Sequence, residues 1–352
     1  MEIQSAVTQT LYAQLLEEAM AYAVSIFENG VTGSPYINTA KGRRYVYWQI
    51  KLPDGSFKRK SLGPESPETD ALVVGLLERK KTATDAIEAM RATTRSFAAG
   101  GGMSIEPAHF KVIEWLARSG LFSKGIVVIG SHAFAGIGNA LGVRWGRSLK
   151  TTDVDFVRPS TIALAIPDSG ETINIPDTLK AADSSFFEVP RLNIKHPSTS
   201  MMSRKSKVKI DFLTTQKEWG DETPHYFPDL AIAAEPLKFM DYLIGDRLFQ
   251  GLVIGSYPIP VTFPDPARFA LHKLVIAQER AIAFQTKTAK DIAQASEVID
   301  ALLDAGRESD LRDAMEVLAA LPNGSPVEKL KKSIQRMPGD GKGMLSEMLR
   351  SL

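Results

Sequence analysis

The apolar positions of the chain change their spacing from one region to the next. Leu11 and Leu15 belong to a helical repeat that predicts a helix over residues 4–29. Residues 44–51 and 57–63 instead alternate between apolar and polar side chains, which is typical of strands. The Pro-Asp-Gly-Ser turn between these two runs predicts that they form a β-hairpin.

A charged helix is predicted over roughly residues 66–96. Residues 98–102 then read Ala-Ala-Gly-Gly-Gly, which makes them the best linker candidate in the sequence. Beyond this segment the spacing predicts a helix over 107–119 and an apolar strand over 126–130. Residues 131–142 are small and apolar, which favours a helix packed closely against that strand.

The second half of the chain changes from strands to helices. Residues 153–157 form a predicted strand, and a β-rich stretch runs from about 161 to 215. Within that stretch the strand-like runs are 186–195 and 207–213. After about residue 260 the spacing predicts helices over 265–284, 287–305, 309–320, 325–336 and 341–351.

This order of elements predicts an α+β protein. A mixed-sheet core is expected between a helix-plus-hairpin region and a helical region. The predicted domains are 1–98, 104–260 and 261–352.

The composition limits the classes of function. The chain has 352 residues, of which 44% are hydrophobic and 24% charged, which is typical of a globular protein with two or three domains. Because 42 Lys and Arg nearly balance 41 Asp and Glu, any nucleic-acid site is expected to be a local patch. The chain contains no cysteine, which excludes disulfides, thiolate catalysis and cysteine-based zinc sites. No apolar run approaches the ~20 residues that span a membrane, and the first residues lack a signal-peptide pattern, so we expect a cytoplasmic protein.

Two aspartates share one predicted strand, in the run Thr-Thr-Asp-Val-Asp-Phe. Since side chains alternate along a strand, Asp153 and Asp155 point to the same side while Val154 turns into the core. Ionised carboxylates this close repel each other, and such an arrangement is tolerated when divalent cations lie between them. Asp-x-Asp also occurs by chance on exposed strand edges. A third aspartate, Asp211, lies in a later strand-like run.

A Gly-Ser pair follows the apolar strand that precedes these acids. Gly130 allows a ligand to approach the backbone closely, and free N–H groups at the start of a helix favour a polyphosphate. The hydroxyl of Ser131 adds a donor. A plain turn is the alternative, because Gly-Ser is common.

A Gly-Ser turn, an Asp-x-Asp strand and a later single Asp, in this order, resemble the nucleotidyltransferase superfamily that includes DNA polymerase beta. The resemblance covers roughly residues 110–300 and is strongest at Ile126–Ser131 and Thr152–Phe156. It implies a mixed-sheet catalytic core, Mg²⁺ or Mn²⁺ as the metal and an NTP as the substrate. The sequence looks closest to a little-characterised bacterial branch.

The resemblance also implies roles for individual residues. Asp153 and Asp155 would ligate two metal ions, and Asp211 would complete the site of the metal that activates the acceptor. Gly130 and Ser131 would bind the nucleotide. Thr152 could steady the acidic strand through its hydroxyl, although a simple β-former would look the same.

A single lysine stands in the helix that follows the core. Asp265 can cap this helix, and Pro266 fits its first turn. Lys273, followed by Arg280 and then by Lys290-Asp291, resembles the helical region of AbiEii-like bacterial nucleotidyltransferases, in which the lysine meets the triphosphate. A solvated helix face is the alternative for Lys273.

Basic side chains also gather in two short stretches and near the Gly-Ser turn. The predicted hairpin mixes Lys and Arg with Tyr45, Tyr47 and Trp48, which suits stacking and phosphate contacts with RNA or DNA, or a solvated edge strand. Arg204, Lys205, Lys207 and Lys209 lie beside the strand of Asp211. Further candidates for phosphate or nucleotide contacts are Arg144, Arg147 and His132, with solvated arginines and a structural histidine as the alternatives.

Together these features predict a Mg²⁺-dependent enzyme that moves an NMP from an NTP to an acceptor hydroxyl. The acceptor is expected to be RNA, such as tRNA, or a protein. A non-catalytic nucleotide- or nucleic-acid-binding module on the same fold is the alternative. A DNA-binding protein built around the hairpin is a weaker one, because the net charge is close to zero.

Overall fold

The computed structural model describes residues 1–28, 32–51, 56–146, 151–160, 172–191, 193–280 and 285–351. The predicted turn at 53–55, Arg147, the start of the predicted β-rich stretch (161–171) and the ends of the helices predicted over 4–29 and 265–284 lie outside these ranges.

Eleven α-helices are present in the described residues. They are α1 (Ala6–Ala23), α2 (Pro67–Ala99), α3 (Pro107–Arg118), α4 (Gly130–Ala140), α5 (Ile175–Ala182), α6 (Met240–Leu243), α7 (Pro266–Ile276), α8 (Gln285–Asp304), α9 (Glu308–Ala319), α10 (Pro326–Gln335) and α11 (Gly341–Arg350). A π-helical segment, Val24–Glu28, extends α1, and a 3₁₀ turn covers Leu121–Lys124.

The described residues also form fourteen strands. They are β1 (Glu2–Ile3), β2 (Ser34–Ala40), β3 (Arg43–Lys51), β4 (Phe57–Pro64), β5 (Val127–Val128), β6 (Val143–Arg144), β7 (Asp153–Arg158), β8 (Phe186–Glu188), β9 (Ser200–Ser203), β10 (Lys209–Thr215), β11 (His225–Phe227), β12 (Ile232–Leu237), β13 (Leu248–Ile254) and β14 (Pro258–Pro264). The protein is therefore α+β, as predicted.

The central sheet is mixed and contains nine of the described strands. Its main path runs β11-β12-β10-β7-β5-β14-β13, while β9 pairs with β10 and β8 pairs with β9. Strand β10 is parallel to β7 and to β12, whereas β5 is antiparallel to β7. Because β7 and β10 are parallel neighbours, side chains at the same register position lie side by side on one face.

Alternation along β7 and β10 places the acids. In β7, Val154 and Phe156 are buried while the side chains between them face the other way, and Ile210 and Phe212 do the same in β10. The register pairs Asp211 with Asp155 and Lys209 with Asp153. The hydrophobic pattern of these two strands thus fixes which side of the sheet carries charge.

A separate three-stranded antiparallel sheet, β2-β3-β4, precedes α2. The predicted strands β3 and β4 are confirmed, and β2 is an additional strand that the alternation analysis missed. Trp48 is buried on the inner face, and its Nε1 donates to the carbonyl of Thr32 at 2.9 Å. Trp48 therefore cannot offer a stacking surface to a ligand, which corrects that part of the prediction.

Two of the three glycines after α2, Gly100 and Gly102, are closely packed. A Cβ at Gly102 would collide with the ring of Phe97, and the hydroxyl of Thr8 donates to the carbonyl of Gly100 at 2.9 Å. Next to them, the backbone of Met103 exchanges two hydrogen bonds with the side chain of Asn139, at 2.8 and 2.9 Å. These contacts join the end of α2 to the core.

Most buried apolar residues belong to one cluster, which runs from Tyr12 in α1 to Met348 in α11. The five helices predicted after residue 260 are present as α7 to α11, although α7 ends at Ile276, before the predicted end at 284. Residues 175–182 form helix α5 rather than a strand, so the β prediction for that part of 161–215 is wrong. Strand β8 stops at Glu188, well before the predicted end at 195. The predicted domain boundaries stay a prediction. No helix in the described ranges combines the length and apolar character needed to cross a membrane.

Candidate active site

A cleft of about 770 Å³ separates the acidic side of the central sheet from α7 and α8. The carboxylates of β7 and β10 line one wall, together with the start of α4. The opposite wall consists of side chains from α7, from α8 and from the segment that follows α7, several of them cationic. The residues of this second wall are Phe269, His272, Lys273, Ile276, Arg280, Lys287, Lys290, Asp291 and Gln294.

Three carboxylates predicted from the sequence lie on the sheet wall of this cleft. Burial is the main cause that raises the pKa of Asp155 from 3.8 to about 7, and the charges of Asp211 and Asp153 raise it further. A buried carboxyl whose pKa lies near neutral pH would gain from a cation, because the cation favours the charged form. The sequence-based expectation that these acids converge on one cleft agrees with their positions.

Lys209 neutralises one of the three acids from the same strand. Its Nζ lies 2.7 Å from Oδ1 and 2.9 Å from Oδ2 of Asp211. The hydroxyl of Ser200, on β9, donates to Oδ1 of Asp211 at 2.5 Å. Asp211 is thus held from two sides by side chains of the protein.

The described residues contain no group of three or more Asp, Glu or His side chains placed to hold a metal ion. Both carboxylate oxygens of Asp211 are instead in contact with the ammonium of Lys209. The donor set itself suits a hard divalent cation, since three carboxylates stand on neighbouring strands. The residues thus match a divalent cation in the chemistry of their donors, while Asp211 is engaged by Lys209.

The turn from β5 into α4 brings backbone close to the acids. Gly130 has φ +67°, and a Cβ at this position would collide with Oδ2 of Asp155. Glycine is therefore required here both by the left-handed backbone and by the approach of the carboxylate. Helix α4 starts at this glycine, so its first N–H groups lie beside Asp155 at the cleft.

A lysine from α8 reaches across the cleft to this turn. The Nζ of Lys290 donates to the hydroxyl of Ser131 at 3.1 Å. Burial, followed by the charge of Lys273, lowers the pKa of Lys290. The start of α4 and the cationic wall thus meet at Ser131, which is where an anionic ligand would find N–H groups, a hydroxyl and an ammonium together.

Lys273 forms a buried ion-paired cluster on the α7–α8 wall. The carboxylate of Asp265 accepts from the backbone N–H groups of Ala267 and Arg268, so the predicted cap of this helix is confirmed. Lys273 Nζ lies 2.8 Å from Asp291 Oδ1, and Arg280 Nε lies 2.6 Å from Oδ2. Burial tends to raise the pKa of Asp291, but the charges of Lys273 and Arg280 lower it overall.

Lys273 is 7% exposed, so the alternative of a solvated helix face is wrong for this residue. Its ammonium lines the cleft but is already paired with Asp291. The pairing holds α7 against α8, and together with Arg280 the cluster carries one net positive charge.

Two further polar side chains of the second wall were not anticipated. His272 and Gln294 are 5% and 3% exposed. Burial, followed by the charge of Lys273, lowers the pKa of His272 to about 3, so its imidazole is neutral. The Nε2 of His272 and both amide atoms of Gln294 have no hydrogen-bond partner in the part of the chain that the structure describes.

His132 lies behind the cleft rather than on its surface. Its Nε2 is 3.2 Å from Nδ1 of His109, and both rings are buried. Burial, then the charge of His109, lowers the pKa of His132 to about 3. This agrees with a structural histidine, which the sequence analysis kept as an alternative to nucleotide binding.

The remaining candidates from the sequence contribute less to the cleft. Thr152 is exposed, and its hydroxyl donates to Oδ1 of Asp153 at 3.1 Å, so it supports an acid instead of lining the cleft. Arg144 lies on β6, which pairs with β1, away from the acids. Of the basic stretch at 204–209, only Lys209 contacts a carboxylate of the site.

The helical spacing of the α8 wall could have been found in the sequence. Lys287, Lys290, Asp291 and Gln294 follow the i, i+3, i+4, i+7 pattern of one helix face. A polar face of this kind also suits solvent, so the pattern alone does not distinguish a cleft wall from a surface.

One family model matches the chain, under the description "Nucleotidyltransferase", over residues 108–319. No curated protein and no solved structure gave a match in the corresponding searches. The match covers more than half of the chain and includes all three acids, the Gly-Ser turn and the cationic face of α8. The chain belongs to this nucleotidyltransferase family.

Proposed function

We propose that the protein is a Mg²⁺-dependent enzyme that moves an NMP from an NTP to an acceptor hydroxyl. The observation that carries this proposal is the composition of the cleft. Three carboxylates stand on one wall, and an ammonium bound to the Gly-Ser turn stands on the other. A triphosphate with its divalent cations needs carboxylates to bind the cations and positively charged groups to bind the phosphates.

Asp153, Asp155 and Asp211 would hold the divalent ions. When bound, Mg²⁺ would neutralise phosphate charge and make the acceptor hydroxyl easier to deprotonate. The N–H groups at the start of α4, the hydroxyl of Ser131 and the ammonium of Lys290 would hold the triphosphate. Lys273 would add positive charge behind it, as the order of basic residues in AbiEii-like nucleotidyltransferases also implies.

In the proposed reaction, the acceptor oxygen forms a bond to the α-phosphorus as the bond from that phosphorus to the bridging oxygen of the β-phosphate breaks. Pyrophosphate leaves with the negative charge, which Lys290 stabilises. The proton of the acceptor hydroxyl passes to Asp211. The acceptor therefore gains one NMP for each pyrophosphate released.

We propose RNA as the acceptor, with a protein as the second candidate. Residues 34–64 contain seven Lys and Arg and one Asp, whereas the whole chain has a net charge of only +1. On the outer face of the β2-β3-β4 sheet, the guanidinium of Arg59 stacks 4.1 Å above the ring of Tyr36, next to Tyr47. Aromatic rings beside cations suit stacked bases and phosphates.

The nucleotide part of this proposal is tested by a thermal-shift assay, which measures binding of each of the four NTPs with and without Mg²⁺. At least one NTP should stabilise the wild type only when the metal is present, and Asp153→Asn should remove that stabilisation. Equal stabilisation by an NTP without metal would contradict the proposed role of the acids. Binding without any transfer would favour the non-catalytic module.

A further inference from the structure

Gln294 is a buried polar residue on the wall of the cleft. It is 3% exposed, it lines the cleft, and neither its Nε2 nor its Oε1 finds a partner among the described residues. A buried amide without partners destabilises the folded protein, because it has lost its hydrogen bonds to water. Such a group is explained when a ligand supplies the missing bonds.

The position of Gln294 relates it to the nucleotide. It stands four residues after Lys290, hence on the same face of α8 and about 6 Å further along the helix axis. Lys290 marks the phosphate end of the cleft through its bond to Ser131. Gln294 therefore lies one helical turn away from the phosphate end of the cleft.

His272 adds a second unpartnered polar atom to the same wall. His272 directly precedes Lys273 on α7. The ammonium of Lys273 lies 2.8 Å from the carboxylate of Asp291, which stands three residues before Gln294 on α8. His272 and Gln294 thus lie on adjoining turns of two packed helices. Phe269, one turn earlier on α7, also lines the cleft and offers an aromatic ring.

Resting on the proposed function, we infer that Gln294 is the residue that selects the nucleotide base, and that the base is adenine. The amide presents one donor beside one acceptor. The N7 edge of adenine presents an acceptor (N7) beside a donor (N6–H), whereas the same edge of guanine presents two acceptors. Gln294 can therefore make two hydrogen bonds to the N7 edge of adenine and only one to the N7 edge of guanine. The Watson–Crick edges of both bases also present a donor beside an acceptor, so a comparison of ATP with 7-deaza-ATP tests whether the N7 edge is the one that is bound.

Titration calorimetry with Mg²⁺ and three probes tests this inference: ATP, 7-deaza-ATP and inorganic tripolyphosphate. The variant is Gln294→Met, which keeps the length of the side chain. The matched control is Gln4→Met. Gln4 is also buried, and its Oε1 likewise has no partner among the described residues, but its Nε2 donates to the carbonyl of Val143 at 3.2 Å and it is not among the residues that line the cleft.

The wild type should bind ATP about tenfold more tightly than 7-deaza-ATP, which lacks the N7 acceptor. Gln294→Met should lose this preference, bind ATP at least about tenfold more weakly and bind tripolyphosphate as the wild type does. Without ligand its Tm should equal or exceed that of the wild type, because the lost amide had no partners. Gln4→Met should keep ATP affinity and lower the Tm.

Equal affinity of the wild type for ATP and 7-deaza-ATP would overturn the inference. So would unchanged ATP binding in Gln294→Met, or a lower Tm that shows the amide to be bonded within the folded protein. If Gln294→Met does not fold, His272→Leu takes its place and should weaken ATP without affecting tripolyphosphate. Failure of the wild type to bind any NTP or tripolyphosphate would contradict the proposed function itself, and the inference with it.

Discussion

Lys209 and Asp211 form an ion pair within one strand, with the ammonium 2.7 Å from one carboxylate oxygen and 2.9 Å from the other. Two residues apart in β10, they point to the same face, and Lys209 is also the register partner of Asp153. The positive charge of Lys209 therefore stands where a divalent cation shared by the acids would stand.

Replacing Lys209 by methionine should tighten metal binding. The variant loses the ammonium that competes for Asp211, and a charge-assisted contact of this kind is worth roughly 1.5–3 kcal/mol, or about tenfold or more in affinity. Mn²⁺ titration followed by paramagnetic resonance measures the change. Lys205→Met, in the neighbouring exposed turn, should bind Mn²⁺ as the wild type does. Equal Mn²⁺ affinity in the wild type and Lys209→Met would show that Asp211 is not a ligand.

Asp155 should make the metal-free protein less stable as the pH rises. Its pKa is about 7 in the folded protein and 3.8 ordinarily, so between these values the folded state binds more protons than the unfolded state. The resulting loss of free energy of unfolding is absent below about pH 4 and grows as the pH rises to 7. Above pH 7 the loss is complete and amounts to at most roughly 4 kcal/mol.

The pH dependence is measured as the difference in free energy of unfolding between the wild type and Asp155→Asn without metal. The buried histidines titrate in both proteins, so this difference isolates Asp155. The variant should be more stable than the wild type at pH 8 and equally stable or less so at pH 4. A difference that does not vary between pH 4 and pH 8 would mean that Asp155 ionises freely in the cleft.

The two lysines of the cationic wall should respond differently to substitution. Lys273→Met leaves Asp291 buried with Arg280 as its remaining partner, so the variant should lose about 3 kcal/mol of stability. Lys290→Met should keep most of the stability but bind the Mg²⁺–NTP complex roughly ten- to a hundredfold more weakly, because the triphosphate loses an ammonium partner. Calorimetry and chemical unfolding distinguish the two effects. An NTP affinity unchanged in Lys290→Met would show that Lys290 does not contact the triphosphate. Lys332→Met, at an exposed position, serves as the control.

The outer face of the β2-β3-β4 sheet should be needed for an RNA acceptor and not for the nucleotide. Tyr36→Ala combined with Arg59→Ala removes the exposed stack while leaving buried Trp48 in place. RNA binding should weaken in the double variant and, in the wild type, should fall as salt rises. NTP affinity should not change. Normal labelling of RNA by the double variant would show that this sheet does not bind the acceptor.

The sequence was sufficient for the acids because strand alternation and sheet pairing are regular. The spacing of Asp153 and Asp155 required one shared face, and an apolar strand ahead of a Gly-Ser turn indicated the position of α4. The helices after residue 260 were equally regular, and all five are present. The resemblance to the nucleotidyltransferase superfamily then predicted that these elements belong to one active site.

The other wall depended on contacts between residues far apart in the chain. Asp291 is bonded to Lys273 and Arg280, and Lys290 reaches Ser131 across 159 positions, which no local pattern encodes. The burial of Trp48 could not be predicted either, because an aromatic residue in a short sheet suits both faces until the packing of α2 selects one. The helical spacing of Gln294 with Lys290 and Asp291 did not reveal that its side chain is buried, since a glutamine on a polar helix face normally lies in water.

The most direct test of the central claim is transfer of label from an NTP carrying ³²P at the α-phosphate. Wild-type protein is incubated with Mg²⁺, each labelled NTP in turn, and either tRNA or a total protein fraction as the acceptor. We predict that label becomes attached to one acceptor class in the wild type, and that Asp153→Ala and Asp155→Ala, although folded, transfer none. Transfer at the wild-type level by either variant would show that these carboxylates do not form the active site.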